Sequence, residues 1–392
     1  MSGGGARAAY QVGLLKALAE RAPDLSMDIL TGVSAGAINT AYLANHRGSF
    51  AEAVDDLCRL WLELTTDDVF RTDWWSLFTR VLRSGFELVS GGHRVPGRSH
   101  GMVDTEPLRD LLHRELGTQS GLGEMTGIRA NIAEGRIRAA AITTSSYSAG
   151  TSVTWVEGRE IQPWHRAHRI GSACQLTVEH VMASTSLPLL FPAVPLLGEW
   201  HGDGGIRLSS PLSPAVHLGA RRIIAVSTRY RPPPGTRVIP MIEAYPPPAQ
   251  IAGSLLNAIF LDMFDGDALR LDRINSLLGA ETSRNGVHRI ELLLLRPSRD
   301  LGRLANDYEP RLPRGFRFLT RGLGTQETNS NDLLSLIMFQ HDYLRELIDL
   351  GHSDARDRID EILAFVGTNA TGTSTPVSLP ESMPASSRVS SS

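Results

Sequence analysis

The chain has 392 residues, 39 basic and 42 acidic, for a net charge of −3 and a pI of about 6.5. That length can bury a large core in one main domain with an extension, and that charge argues against a general nucleic-acid binder. Two cysteines, Cys58 and Cys174, make no disulfide framework and suit a reducing compartment, and neither a run of about 18 apolar residues nor a signal-peptide pattern is visible.

The first predicted element is a glycine run, Gly3-Gly4-Gly5-Ala6-Arg7-Ala8, opening a helix in which Val12, Leu14, Leu15 and Leu18 keep helical spacing. Such a run gathers several backbone N–H groups in one concavity, which suits an anion. No Gly-Lys-Ser/Thr follows, so it is not a P-loop. Ala8 stands where the last glycine of a dinucleotide fingerprint belongs. A phosphate cradle and an oxyanion hole both remain open readings. Next comes a short apolar strand, Met27-Asp28-Ile29-Leu30-Thr31, then Gly32-Val33-Ser34-Ala35-Gly36, then a helix. A serine in G-x-S-x-G between strand and helix sits on a sharp, strained turn with its hydroxyl in the open. Gly32 and Gly36 leave room for the turn and for a substrate. The motif alone is weak, because ordinary Gly/Ser loops share it.

Residues 51–64 are predicted helical, with Ala53, Leu57, Leu60, Trp61 and Leu64 on one face. Residues 74–89 are aromatic and apolar with basic punctuation, and two readings apply. They form either a helix covering the core or an interfacial lid that buries Trp74, Trp75, Phe78 and Phe86 in lipid. A loop over 90–101 precedes a helix opened by Thr105-Glu106-Pro107, with threonine as N-cap and proline in the first turn. Strands are predicted over 137–144, 151–156 and 223–228, the last parallel and buried. Trp200-His201-Gly202-Asp203-Gly204-Gly205 reads first as a turn. Two proline clusters, 232–234 and 246–248, interrupt regular structure. Helices resume over 249–278, a strand over 288–295, one amphipathic helix over 331–350, and a short helix ending near 366. Residues 367–392 are Ser/Thr/Pro-rich and predicted disordered.

Three of these segments, in this order, resemble the patatin-like phospholipase family: Gly3-Gly4-Gly5-Ala6-Arg7-Ala8, Gly32-Val33-Ser34-Ala35-Gly36 and Asp203-Gly204-Gly205. Residues 181–194 are similar to its alanine/serine helix and following proline turn, so the resemblance covers about residues 2–230. Ala8 for the usual glycine and Ser210 for a common asparagine are departures. The resemblance implies an α/β, three-layer fold with a mostly parallel central sheet flanked by helices. Only Met1 and Ser2 precede Gly3, so the first strand of that sheet is expected to be missing, through a misplaced start, truncation or a shortened sheet. The implied domains are a catalytic domain over 1–300, a mainly helical extension over 301–366 and the tail over 367–392.

By the same resemblance, Ser34 is the nucleophile and Asp203 activates it. Gly3, Gly4, Gly5, Ala6 and Arg7 form the oxyanion hole, Gly32 and Gly36 flank the nucleophile elbow, and Gly204 and Gly205 complete the Asp-Gly-Gly motif. A Ser–Asp dyad needs no histidine, metal or organic cofactor. An ordinary α/β-hydrolase would place several strands before its serine and end its triad in a histidine. The free pKa of aspartate, near 4, makes it a poor base at neutral pH, so desolvation is expected to raise it. His201 is read as a loop histidine beside the aspartate. The implied activity is hydrolysis of carboxylic esters of lipids, of phospholipase A or lysophospholipase type, through an acyl-enzyme. The implied partner is a lipid or phospholipid, the expected location cytoplasmic with peripheral membrane contact left open. The alternative is a catalytically impaired lipid- or partner-binding protein of the same fold; a nucleotide-phosphate binder is the weakest. The sequence carries no signature of head group, acyl chain or oligomeric state.

Overall fold

The computed structural model describes residues 1–71, 103–117, 123–188, 190–232, 251, 254, 263–278, 283–284, 287–312 and 331–367. The aromatic stretch 74–89, the loop 90–101, the second proline cluster and the tail beyond 367 lie outside the described residues, so both readings of 74–89 stand as expectations.

The helices are α1 (Ala9–Arg21), α2 (Ala35–Asn45), α3 (Phe50–Glu63), α4 (Thr66–Val69), α5 (Glu106–Glu115), α6 (Thr126–Glu134), α7 (Val178–Thr185), α8 (Ser213–His217), α9 (Met263–Leu278), α10 (Leu301–Tyr308), α11 (Asp332–Ile337), α12 (His341–Asp357) and α13 (Ile359–Gly367). The strands are β1 (Ile29–Val33), β2 (Ala139–Ser146), β3 (Ser152–Gly158), β4 (Trp164–Arg166), β5 (Arg169–Ala173), β6 (Val194–Leu196), β7 (Glu199–Asp203), β8 (Arg222–Val226), the short pair β9 (Ser283–Arg284) and β10 (Val287–His288), and β11 (Glu291–Leu295). Local chemistry sets several boundaries. Ser49 accepts from the Glu52 amide at 3.2 Å while Glu52 accepts from the Ser49 amide at 2.7 Å, a capping box that starts α3.

The central sheet runs β4-β5-β3-β2-β7-β6, with β1 also on β2. Alternate residues of β2 and β3 enter different cores. Ala140, Ile142, Val153 and Trp155 join the main cluster, and Ala139, Ala141 and Val156 pack with Trp164 on the other face. Helices of the main cluster cover one face, and α8, whose His217 stacks on Trp164 at 4.9 Å, lies on the other, so helices flank an α/β sheet, as expected. The strand pairing is mixed where a mostly parallel sheet was expected. β1–β2, β3–β5 and β8–β11 are parallel, whereas β2–β3, β2–β7, β4–β5 and β6–β7 are antiparallel. The reason is connection length: the β2–β3, β4–β5 and β6–β7 links are turns, too short for a parallel crossover.

Met1 and Ser2 lie between β1 and β8. The Met1 amine donates to the Thr31 carbonyl at 2.6 Å and its carbonyl accepts from the Val33 amide at 3.3 Å, while the Ser2 amide donates to the Val226 carbonyl at 3.1 Å. The single amphipathic helix expected over 331–350 is two helices, α11 and α12, broken at residues 338–340. Met338 and Phe339 are both buried, so they satisfy the apolar pattern without continuing the helix. One hydrophobic cluster runs from Ala6 to Ile362. Among the described residues no helix is long and apolar enough to cross a membrane.

Candidate active site

The sheet register brings Ser34 and Asp203 together. β1 pairs with the first part of β2, ending at Val33 opposite Thr143. β7 pairs with the last part of β2, ending at Asp203 opposite Thr144. The two strands therefore share one edge of β2 and run toward each other, so the residues that end them meet. Ser34 follows Val33 directly and begins α2 with φ 54° and ψ −136°. That positive φ on a non-glycine residue is strained backbone, held by its surroundings. The Ser34 amide donates to Ser184 Oγ at 2.9 Å, and Ser184 Oγ donates to the Thr143 carbonyl at 2.7 Å. Helix α7 thus pins the turn to β2.

Asp203 is completely buried. Its Oδ1 accepts from the Gly205 amide at 2.8 Å, and its Oδ2 has no hydrogen-bond partner. Burial pushes its pKa up to about 7, and the neighbouring Ser34 hydroxyl and the Gly205 amide pull it partway back. The serine is thus near enough to favour the carboxylate. The unpartnered Oδ2 shows that the pair has not closed into a hydrogen bond of ordinary geometry. A carboxyl that titrates near neutrality can take up a proton at neutral pH, which an ordinary aspartate does poorly.

The glycine loop flanks the serine. A Cβ on Gly3 would sit 2.8 Å from the Ser34 Cβ. Gly4 and Gly5 have φ of 144° and 53°, conformations that glycine supplies without strain. The loop leads into a 3₁₀ turn over Gly5–Ala8 and then α1. Thr228 Oγ1 donates to the Gly3 carbonyl at 2.9 Å. Gln11 Nε2 donates to the Ser2 carbonyl at 2.8 Å, Asn39 Nδ2 to Gln11 Oε1 at 3.1 Å, and Trp61 Nε1 to Asn39 Oδ1 at 2.8 Å. Gly32 and Gly36 flank Ser34, with Gly36 backed by the Ser2 and Met1 carbonyls. Arg7 points to α11 and is buried there.

An apolar cavity of about 60 Å³ adjoins Ser34, Gly4 and Gly5. Leu60 and Trp61 of α3 and Leu64 just after it line it, with Leu108, Leu111 and Leu112 of α5, Phe191, and Leu336 and Phe339 from α11 and the residues after it. His201 is elsewhere. Its ring is buried, shares a 3.0 Å hydrogen bond with Thr144 Oγ1 and packs on Trp155 at 5.6 Å. Burial lowers its pKa, with Glu199 opposing. Ser184, Thr228, Gln11 and Asn39 were not singled out as site residues from sequence. Only Ser184 had a signal, its place in the small-residue segment at 181–194.

A family model described as Patatin-like phospholipase matches residues 1–216. No curated protein matches the sequence. Among solved structures, the crystal structure of VipD from Legionella pneumophila is 13% identical, covering 93% of this chain and 74% of that one, with a TM-score of 0.33.

Proposed function

The chain belongs to the patatin-like phospholipase family, and on that premise we propose that it is a serine hydrolase of lipid carboxylic esters working through Ser34 and Asp203. The observation that carries this reading is the meeting of a strained, glycine-flanked serine with a buried carboxyl whose Oδ2 is unpartnered and whose pKa is near 7.

Ser34 Oγ attacks the ester carbonyl carbon and its proton passes to Asp203 Oδ2. The carbonyl oxygen becomes an oxyanion, held by backbone amides of the Gly3–Gly5 loop and the N-terminus of α2. Collapse expels the alcohol, which takes the proton, and leaves Ser34 acylated. Water then attacks the acyl-enzyme, gives a proton to Asp203, and a second collapse returns that proton to Ser34 and frees the carboxylic acid. No step calls for a metal or organic cofactor. The cavity beside Ser34 is almost wholly apolar and suits an acyl chain. Ser34→Ala should abolish hydrolysis of a p-nitrophenyl ester with the circular dichroism spectrum unchanged. Unchanged turnover by the purified variant would exclude Ser34.

A further inference from the structure

We propose that α11 completes the catalytic apparatus, with Asp332 and Ser335 as positioning residues that hold the glycine loop through Arg7. This rests on the reading of Ser34 as nucleophile and of the loop as its oxyanion hole. It adds a segment lying outside the family-matched residues 1–216.

Arg7 and Asp332 are 325 residues apart in sequence, yet Arg7 Nη2 donates to Asp332 Oδ1 at 2.6 Å and to the Asp332 carbonyl at 3.4 Å. Arg7 Nε donates to Ser335 Oγ at 2.7 Å, and that hydroxyl donates in turn to the Asp332 carbonyl, also at 2.7 Å. The side chains of the ion pair are only 3% and 9% exposed. At that depth neither charge is tolerable without the other, because removing one partner leaves an uncompensated buried ion. The pair therefore fixes where Arg7 sits.

Arg7 in turn fixes the loop. Its amide donates to the Gly4 carbonyl at 3.0 Å, so anchoring Arg7 orients the peptide between Gly4 and Gly5. Gly5 lies directly against the Leu336 carbonyl of α11, where a Cβ would clash. On the opposite side Thr228 holds the Gly3 carbonyl. The loop is gripped between β8's extension and α11. An oxyanion hole works by having its donors already aimed before charge develops, and one misplaced donor costs roughly a hundred- to a thousandfold in rate. Arg7, buried against α11, thus serves the loop's geometry.

The test uses the full chain with Asp332→Ala and Ser335→Ala. Four quantities are read: amide hydrogen exchange over residues 3–8, kcat and KM on p-nitrophenyl butyrate, and Ki for a trifluoromethyl ketone, which forms the same tetrahedral oxyanion on serine. In Asp332→Ala, exchange over 3–8 should rise at least about tenfold while that of β2 is unchanged. Its kcat should fall roughly ten- to a hundredfold, Ki for the ketone should rise by the same factor, and KM should stay within about threefold. Ser335→Ala, which keeps the ion pair, should move exchange, kcat and Ki in the same directions by roughly two- to fivefold. A merely structural contact would alter stability but leave kcat and ketone affinity of the folded protein alone. Folded Asp332→Ala with unchanged exchange and unchanged kcat overturns the proposal. If Asp332→Ala does not fold, Ser335→Ala decides, and unchanged values there overturn it. A wild-type chain that hydrolyses nothing, while loop exchange still rises in the variants, would refute the hydrolase reading and leave the grip of α11 on the loop standing.

Discussion

At the residue scale, Asp203 links stability to chemistry. Its folded-state pKa, about 7, lies above the ordinary aspartate value of 3.8. The fold therefore favours the protonated carboxyl. The stability this group contributes is fully present below about pH 4 and is lost as pH rises through 7. Asp203→Asn keeps the shape without the charge, so it should stabilise the protein most above pH 7, on the order of a few kcal/mol, with the gain vanishing in acid. Thermal melts of both proteins at pH 5 and pH 8 check this, and a gap that narrows as pH rises would contradict it. Catalysis should have the opposite sign. With the ionised carboxylate as the proposed base, kcat/KM should climb along an acid limb centred near pH 7. Ser34 stores strain in the same site. Ser34→Gly should be more stable than Ser34→Ala by roughly 1 kcal/mol, since glycine adopts φ 54° freely.

At the element scale, the cavity wall sets what fits. Leu108, Leu111 and Leu112 are spaced i, i+3, i+4 on α5 and face the same apolar space as Trp61 of α3. Leu111→Trp should fill part of that space and shift preference along a p-nitrophenyl ester series toward shorter acyl chains. It should cost roughly 1–3 kcal/mol in stability from overpacking. Equal rates on all chain lengths before and after the change would remove the cavity from the acyl path. Elements differed in how legible they were. The start of α5 was readable because Pro107 in the first turn is a local signal, although the Thr105 side chain makes no capping hydrogen bond, whereas the Ser49–Glu52 capping box that starts α3 was not read. The β6–β7 hairpin was not read as strands: β6 has three residues, one of them Pro195, and its turn uses Leu197 and Gly198 at φ 49° and 85°. The break between α11 and α12 was invisible for another reason. Apolar periodicity reports burial, and Phe339 is buried as a cavity wall, not as a helical residue.

At the scale of the whole molecule, α12 lies across α1, the helix that follows the glycine loop. Gly13 of α1 meets the Ile348 carbonyl and Gly351 of α12 meets the Tyr10 carbonyl, each leaving no room for a Cβ. Tyr10 Oη also donates to Asp354 at 2.8 Å. Gly351→Ala should force the helices apart, costing more than about 1 kcal/mol and lowering Tm, whereas an exposed glycine such as Gly367 should tolerate alanine. The three glycine-bearing motifs were legible in sequence because each carries its own backbone chemistry, and the fold gathers them around Ser34. What sequence did not disclose is what fastens them. The Arg7–Asp332 pair spans 325 residues, and no spacing rule connects groups joined only by tertiary packing. The mixed strand order was hidden similarly, since the placement of β7 end to end with β1 on β2 depends on register, not on any local pattern.

The central claim is that Asp203, with no histidine, activates Ser34. The most direct measurement is the second-order rate of fluorophosphonate labelling, with the adduct mapped by mass spectrometry, across pH in wild type, Asp203→Asn and His201→Ala. The adduct should fall on Ser34, and the wild-type rate should rise with a midpoint near pH 7, following Asp203. Asp203→Asn should lose at least about a hundredfold, and His201→Ala should change the rate little while the fold persists. Labelling of another residue, or a folded His201→Ala that loses as much as Asp203→Asn, would contradict the dyad.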